Sequence, residues 1–253
     1  MWLLKSSLFA LIALVGLWLG CAILSIFLAR TRGASLFSVN WLVNRIHRRH
    51  VEEAIRAHSD GRILDIGCGV SPFATVLQTY SDTLTNLEFD RHRSVAVSPD
   101  IWGSGLTLPF RGKSFDTVVS FQVLEHVPRP AKMVEEIWRV LVPGGLLILT
   151  APHIWGIHEE PNDYFRFTGY GLRQLAEDAG LKVVSVQPLA GYWVTTAARH
   201  CHYLQQFEKI GLALLMRPLY ALIQLVGLLL DRIHRVESDA WNFMLIAERP
   251  QYS

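Results

Sequence analysis

The sequence predicts an α/β fold in which a mostly parallel sheet is covered by helices on both faces. Three observations lead there. From residue 62 to residue 188, short apolar runs alternate with segments whose apolar residues recur every three or four positions, the pattern of successive strand–helix units. One run, Arg62 to Ile66, opens directly into the glycine loop Gly67-Cys68-Gly69-Val70-Ser71-Pro72. The next run ends in an acid, Glu88, about 20 residues past the loop, where sheets of this kind bind a ribose.

Composition narrows the class. A chain of 253 residues permits one large domain or two small ones. A hydrophobic fraction of 51% is high for a soluble protein and points to membrane segments. The net charge of +2 is too small to imply a nucleic-acid partner. Cys21, Cys68 and Cys201 lie far apart with no Cys-x-x-Cys, so neither a zinc site nor a disulfide framework is indicated. A reducing compartment is expected.

Leu8 to Ala29 carries no charge, and Ser25 is its only polar side chain. As a helix this run spans about 33 Å, enough for the hydrocarbon core of a bilayer. A cleaved signal has a shorter apolar run and a small-residue cleavage site, which this stretch lacks. Residues 1–30 are therefore expected to be a single-pass anchor, with a buried core helix as the alternative. Only Lys5 precedes it, whereas Arg30, Arg32, Arg45, Arg48 and Arg49 follow, which places the rest of the chain in the cytoplasm. Residues 31–60 read as a basic linker. Asn40 is placed to cap a helix from Trp41 to His58, whose basic face lies near anionic headgroups or is simply solvated.

Arg62 to Ile66 reads as a short buried strand, with Asp65 near its end. Gly67 and Gly69 let the backbone bend sharply and approach a ligand closely. A helix is expected at or just after Pro72, covering Phe73 to Tyr80. The ligand class follows from two residues. A dinucleotide fingerprint asks for glycine where Pro72 stands, and the Asp65 carboxylate would repel a pyrophosphate. The same carboxylate suits S-adenosylmethionine, which carries an ammonium and a sulfonium and no phosphate. Leu84 to Phe89 is the second strand. Glu88 is favoured over Asp90 for the ribose hydroxyls, with Asp90 alternatively opening the following turn.

Phe115 to Phe121 is a third apolar strand and leads into Gln122-Val123-Leu124-Glu125-His126-Val127. Pro130 starts a helix with Val134, Ile137, Trp138 and Leu141 on one face. Pro143-Gly144-Gly145 is expected to stop it before a buried strand from Leu146 to Ala151. Thr168 caps a helix that ends at Gly180. Leu181 to Pro188 and Trp241 to Glu248 complete the strands.

These motifs, in order, carry a family resemblance. Asp65-Ile66-Gly67-Cys68-Gly69, the acid after the second strand, Leu108-Pro109-Phe110, Ser114-Phe115-Asp116, Val123-Leu124-Glu125-His126 and Pro143-Gly144-Gly145 together resemble the class I S-adenosylmethionine-dependent methyltransferases, in the branch with a Val-Leu-Glu-His element. The resemblance covers roughly Arg62 to Pro188 plus the final strand. It implies a Rossmann-like, doubly wound, seven-stranded sheet whose last strand enters antiparallel. It implies that Asp65, Gly67 and Gly69 hold the methionine part and Glu88 the ribose. Ser104, Gly105 and Leu106 would border the adenine, and Phe121 and Gln122 would close over the methionine end. Ser71 departs from the family, which often has a third glycine there. Ser104 departs from an aspartate that often meets the adenine amino group.

The acceptor side rests on the loop from Pro152 to Phe167, which is dense in ionisable and aromatic residues and follows the carboxyl end of a strand. Its His-x-x-Pro-x-Asp-Tyr-x-Arg-Phe-Thr arrangement resembles a loop of bacterial methyltransferases associated with surface glycans or lipids. On that reading His158 or Asp163 is a general base, and Tyr164 and Arg166 contact the substrate, Arg166 through an anionic group. On the alternative reading Asp163 and Arg166 form a salt bridge that closes the loop, with Tyr164 and Phe167 in the core. His126 is either a further base or a helix-start residue. The histidines show no ligand spacing with carboxylates, so no metal is expected.

Between residues 189 and 240 lies far more chain than one crossover needs, and Ile210 to Leu230 is almost wholly apolar, interrupted by Arg217-Pro218 and Gln224. Both flanking strands belong to one sheet, so a single full crossing is excluded. The segment is expected to break at Arg217-Pro218 and to act as a membrane-facing lid, or else to be a plain buried helical pair. The expected organisation is an anchor (1–30), a linker (31–60), a cofactor-binding core (61–188), a hydrophobic insertion (189–240) and a final core strand (241–253). The function it implies is methyl transfer at the cytoplasmic membrane face to a lipid-linked or glycan-linked acceptor, with a non-catalytic membrane scaffold as the alternative.

Overall fold

A computed structural model of the chain describes residue 13 and residues 15–18, 20–23, 35–89 and 99–251. Asp90 and most of the expected anchor lie outside the described residues. Those described between 13 and 23 are helical.

Seven strands form one sheet: β1 (Arg62–Ile66), β2 (Thr83–Glu88), β3 (Ile101–Trp102), β4 (Phe115–Phe121), β5 (Leu141–Pro152), β6 (Lys182–Pro188) and β7 (Asn242–Glu248). Their spatial order is β3-β2-β1-β4-β5-β7-β6. β7 runs antiparallel to both β5 and β6, and the remaining pairings are parallel. The order reverses between β1 and β4, which opens a crevice at their carboxyl ends. β3, a two-residue edge, has no counterpart in the expected strands.

Four helices belong to the sheet side of the chain in whole or in part: α1 (Trp41–His58), α2 (Ala74–Thr79), α3 (Pro130–Val140) and α4 (Gly169–Asp178). α3 buries Met133, Val134, Ile137 and Val140 against a core that includes Leu64, Ile66, Val118, Leu147 and Leu149. It ends at Val140 rather than at Pro143-Gly144-Gly145. Leu141 already has extended dihedrals, and Arg249 Nη1 donates to the carbonyls of Trp138, Arg139 and Leu141, satisfying acceptors that a further turn would have used. The Pro-Gly-Gly segment lies inside β5 instead. Thr168 caps α4, its hydroxyl accepting from the Gly171 N–H at 3.0 Å. On α1 the expected basic face is largely neutralised: Arg48, Arg49 and Arg56 pair along the helix with Glu52 and Glu53.

The chain divides into two compact units, one of residues 48–189 with 240–253, the other of residues 1–47 with 190–239. In the second, α5 (Tyr192–Gln205) is followed by a 3-10 turn and by α6 (Ala213–Ile233). Gly227 permits the approach of the two helices, since a Cβ there would lie 2.5 Å from the Ala197 Cβ. α6 is continuous through Pro218, a correction to the expected break. The proline forfeits one backbone bond, and burial of Tyr220, Ala221 and Gln224 immediately beyond it holds the helix on line. Leu215, Leu222, Val226, Leu229 and Ile233 are left exposed along one side of α6. Among the described residues it is the helix long and apolar enough to cross a membrane by length and composition.

Gln224 pins this unit. Its Oε1 accepts from the Leu42 N–H at 2.9 Å, and its Nε2 donates to the carbonyls of Leu36, Ser38 and Tyr220. Gln224→Leu removes the acceptor of the Leu42 N–H, at a cost of roughly 2 kcal/mol. A chemical-denaturation midpoint equal to that of the parent chain would show that the pin carries no stability.

Candidate functional site

The glycine bend sits at the carboxyl end of β1. Asp65 pairs with Asn86 of β2 on one side and Val119 of β4 on the other, so its carboxylate is buried in the middle of the sheet's edge. The chain then turns: the Gly67 and Cys68 N–H groups both donate to the Leu87 carbonyl, and Gly67 takes φ +74. A Cβ at Gly67 would lie 2.4 Å from Val123 Cγ2, so only glycine fits. At Gly69 a Cβ would meet nothing within 4 Å; the bend faces open space at that residue. Ser71 adopts φ 48, the left-handed conformation a glycine would take without strain. Ser71 thus takes, at some strain, the backbone angle that a glycine would take freely.

Glu88 reaches the same bend. Its Oε2 accepts the Gly69 N–H and its Oε1 the Phe89 N–H, each at 2.8 Å. Burial, and then the charge of Glu88, push Asp65 up to about 7. Burial with the same two carboxylates pushes the Cys68 thiol up to about 11. Two acids converging on a glycine bend make a region that favours a cation. For S-adenosylmethionine the fit is direct: Asp65 would meet the ammonium end, the bend would pass along the chain, and Glu88 would offer oxygens to the ribose hydroxyls.

The neighbouring positions divide. Phe121 packs edge-on to Phe73 at 5.1 Å, on the same side as the bend. Gln122 has φ 59, and its amide bonds Thr150 Oγ1 and Asn242 Nδ2, so its side chain braces β4 to β5 and β7. Ser104 Oγ accepts from the Leu106 N–H at 3.2 Å, closing its own turn. Gly105 packs against Met133 and Ile66, which sets that turn beside β1.

On the acceptor side the structure selects the salt-bridge reading for Asp163 and Arg166. Asp163, with a side chain 2% exposed, receives Arg166 Nη1 at 2.6 Å and Nη2 at 2.7 Å, plus the His158 N–H at 2.8 Å. The guanidinium beside it holds its carboxyl well below the usual range. A strong acid with its oxygens occupied is no general base. Arg166 spends its other donors on the carbonyls of Trp155, Gly156 and Phe165, so it braces the loop and is not poised for an external anion. Phe167 is buried, but Tyr164 is 47% exposed, against the expectation that both are core.

Glu125 takes a place in the site that its position in the sequence does not reveal. It lies in a 3-10 turn, Leu124–His126, and its carbonyl accepts the Tyr164 and Phe165 N–H groups, latching the loop to the end of β4. Its side chain is fully buried, and neither oxygen has a hydrogen-bond partner. Burial pushes it up to about 8. His126 and His158 stand beside it with ring centroids 4.8 Å apart. The expectation that histidines and carboxylates are ungrouped is thus corrected: 32 positions separate His126 and His158 in the chain, and the β5 crossover removes that distance.

Residues 64–149 match the family model described as a methyltransferase domain. Over 117 residues the chain is 30% identical to 24-methylenesterol C-methyltransferase 2 of Oryza sativa subsp. japonica, covering 41% of this chain and 32% of that protein. It is 36% identical over 96 residues to an uncharacterized methyltransferase of Mycobacterium tuberculosis, covering 35% of this chain and 38% of that one. The matched segment thus spans about a third of the length of these curated relatives. Among solved structures, the Haemonchus contortus phosphoethanolamine N-methyltransferase 2 with bound S-adenosyl-L-methionine superposes with TM-score 0.55 at 18% identity, over 89% of this chain and 59% of that one. The [4+2]-cyclase SpnF superposes with TM-score 0.54 at 20% identity, over 79% and 81%. The last two establish the fold alone. That one of them is named a cyclase shows that this fold does not by itself specify the reaction.

Proposed function

We propose that this chain is an S-adenosylmethionine-dependent methyltransferase working at the cytoplasmic face of a membrane on a lipid-linked or glycan-linked acceptor. The observation that carries the reading is the glycine bend flanked by Asp65 and Glu88 within the segment that matches a methyltransferase domain. The cofactor supplies a methyl group already activated on a sulfonium. What remains for the protein is to hold the acceptor in line and to keep water out. The loop from Pro152 to Phe167 lies at the same sheet edge and offers His158, together with His126 from the turn after β4, toward an acceptor hydroxyl. Tyr164, exposed at the rim, offers a ring and a hydroxyl to a sugar or a lipid head.

The membrane part of the reading is supported by the uncharged run from Leu8 to Ala29 and by the exposed leucine-rich side of α6. Such a face gains about 25 cal/mol for each Å² of apolar surface withdrawn from water. The test is to incubate the full chain in detergent with a native lipid extract and methyl-labelled S-adenosylmethionine, followed by mass spectrometry. Label in an amphipathic, lipid-linked species is the expected result. A chain that retains no labelled cofactor in equilibrium dialysis would be a scaffold and not a methyltransferase.

A further inference from the structure

We propose that Glu125, His126 and His158 form a binding site for one divalent cation of the zinc class. One nitrogen of each ring and one Glu125 oxygen lie within 4.8 Å of one another. Zinc bonds its nitrogen and oxygen ligands at about 2.1 Å, so closing on an ion takes side-chain movements of less than about 1 Å. Two imidazoles and one carboxylate are a donor set that zinc accepts with a position left open. Glu159 is a further carboxylate beside the group, its Oε2 3.8 Å from His126 Nε2.

Two independent features point to a ligand here. The first is Glu125, completely buried, with both oxygens unpartnered. A carboxyl group buried with no hydrogen-bond partner costs about 2 kcal/mol or more even when protonated, and hydrogen bonding within the protein does not relieve it. The second is the setting of the imidazoles. His126 Nδ1 lies 2.6 Å from the Asn162 carbonyl oxygen, which can only accept, so Nδ1 carries the proton. Its lone pair is then on Nε2, the atom 3.8 Å from Glu125 Oε1. His158 Nδ1 faces the Gly156 carbonyl at 3.2 Å and Asp163 Oδ2 at 3.4 Å, with Arg166 Nη2 also at 3.4 Å, so the nearer acceptor orients the ring through Nδ1. Backbone and carboxylate partners of this kind orient metal-bound histidines in general. An acid that merely sits protonated needs no such neighbours.

Arg166, the nearby cation, does not compete, because its charge is matched by Asp163 and its Nη2 donates to the Gly156 carbonyl at 2.6 Å. The site lies past the ends of β4 and β5, at the sheet edge that carries the glycine bend. A cation there would leave a coordination position for an oxygen of the acceptor. Cation binding itself does not depend on the methyl-transfer reading and is measured without S-adenosylmethionine.

The experiment uses the full chain in detergent, stripped with chelator, loaded with Zn(II) and passed through gel filtration, with zinc counted by elemental analysis and affinity read by competition with a chromogenic chelator. One zinc per chain is expected, with Glu125→Gln and His158→Asn each weakening it roughly tenfold or more. His200→Asn, which alters an exposed histidine on α5, should retain it, excluding adventitious surface binding. Melting curves identify which variants are folded, and either folded variant suffices. No zinc on the parent chain, or undiminished binding by a folded Glu125→Gln or His158→Asn, overturns the site.

Discussion

Asp65→Asn is expected to abolish S-adenosylmethionine binding while making the ligand-free protein more stable above neutral pH. The two effects share one cause. Asp65 is 4% exposed and its folded-state value is raised from 3.8 to about 7, by burial first and by Glu88 second. The folded chain therefore holds this proton more tightly than the unfolded chain does. The stabilisation from the neutral form is complete below pH 3.8, falls as the pH rises toward 7, and is gone above it. At pH 8 the parent chain keeps a buried carboxylate beside a second one, a burden of a few kcal/mol at about 1.4 kcal/mol per unit. Asparagine keeps the shape and removes the charge. Thermal melts of the two proteins should lie closest below about pH 4 and diverge steadily up to about pH 7, with the variant higher above that. Calorimetric titration should show cofactor affinity in the parent falling as the pH drops below 7, and no binding in the variant. A variant that binds normally would remove the electrostatic basis of the site.

Asp163→Ala is expected to release the acceptor loop. Asp163 takes two guanidinium bonds and one backbone N–H, and without it Arg166 keeps a charge with no counter-ion in a partly buried place. Breaking such a pair from one side costs about 3 kcal/mol or more. The loss should be local, because the sheet and α3 have their own core. Hydrogen exchange should speed up at residues 156–166, with the strands unchanged and S-adenosylmethionine still bound. Methyl transfer should fall through a loss of acceptor placement. Since the carboxyl is held below its ordinary range, its stabilisation is present at neutral pH and disappears in acid, so the parent loop should open at low pH as the variant's does at pH 7. Unchanged exchange in the loop would show that Asp163 does not hold it.

Both variants probe features of different legibility. Asp65 and the bend around it could be read directly from the chain, because a strand, an acid and two glycines in eleven residues determine a local shape. Asp163 was legible as a residue and ambiguous as a role. A carboxylate five positions from one histidine and three from an arginine serves equally well as a base or as a brace, and only the fold decides which partner it meets. The same holds for Pro218, whose helix-breaking tendency is real but is overruled by burial on its far side. It holds too for Pro143-Gly144-Gly145, which ends a helix in isolation and here lies inside a strand.

By itself, the sequence determined the fold class, six of the seven strands, the glycine bend and the acids Asp65 and Glu88 beside it. Those follow from periodicity and from steric limits that act over a few residues. Only the tertiary structure decided that Glu125, His126 and His158 meet, that Asp163 is spent on Arg166, and that Ser71 holds a glycine's backbone angle. Each depends on strands adjacent in space and distant along the chain, and burial then sets which charges remain unpaired and available for chemistry.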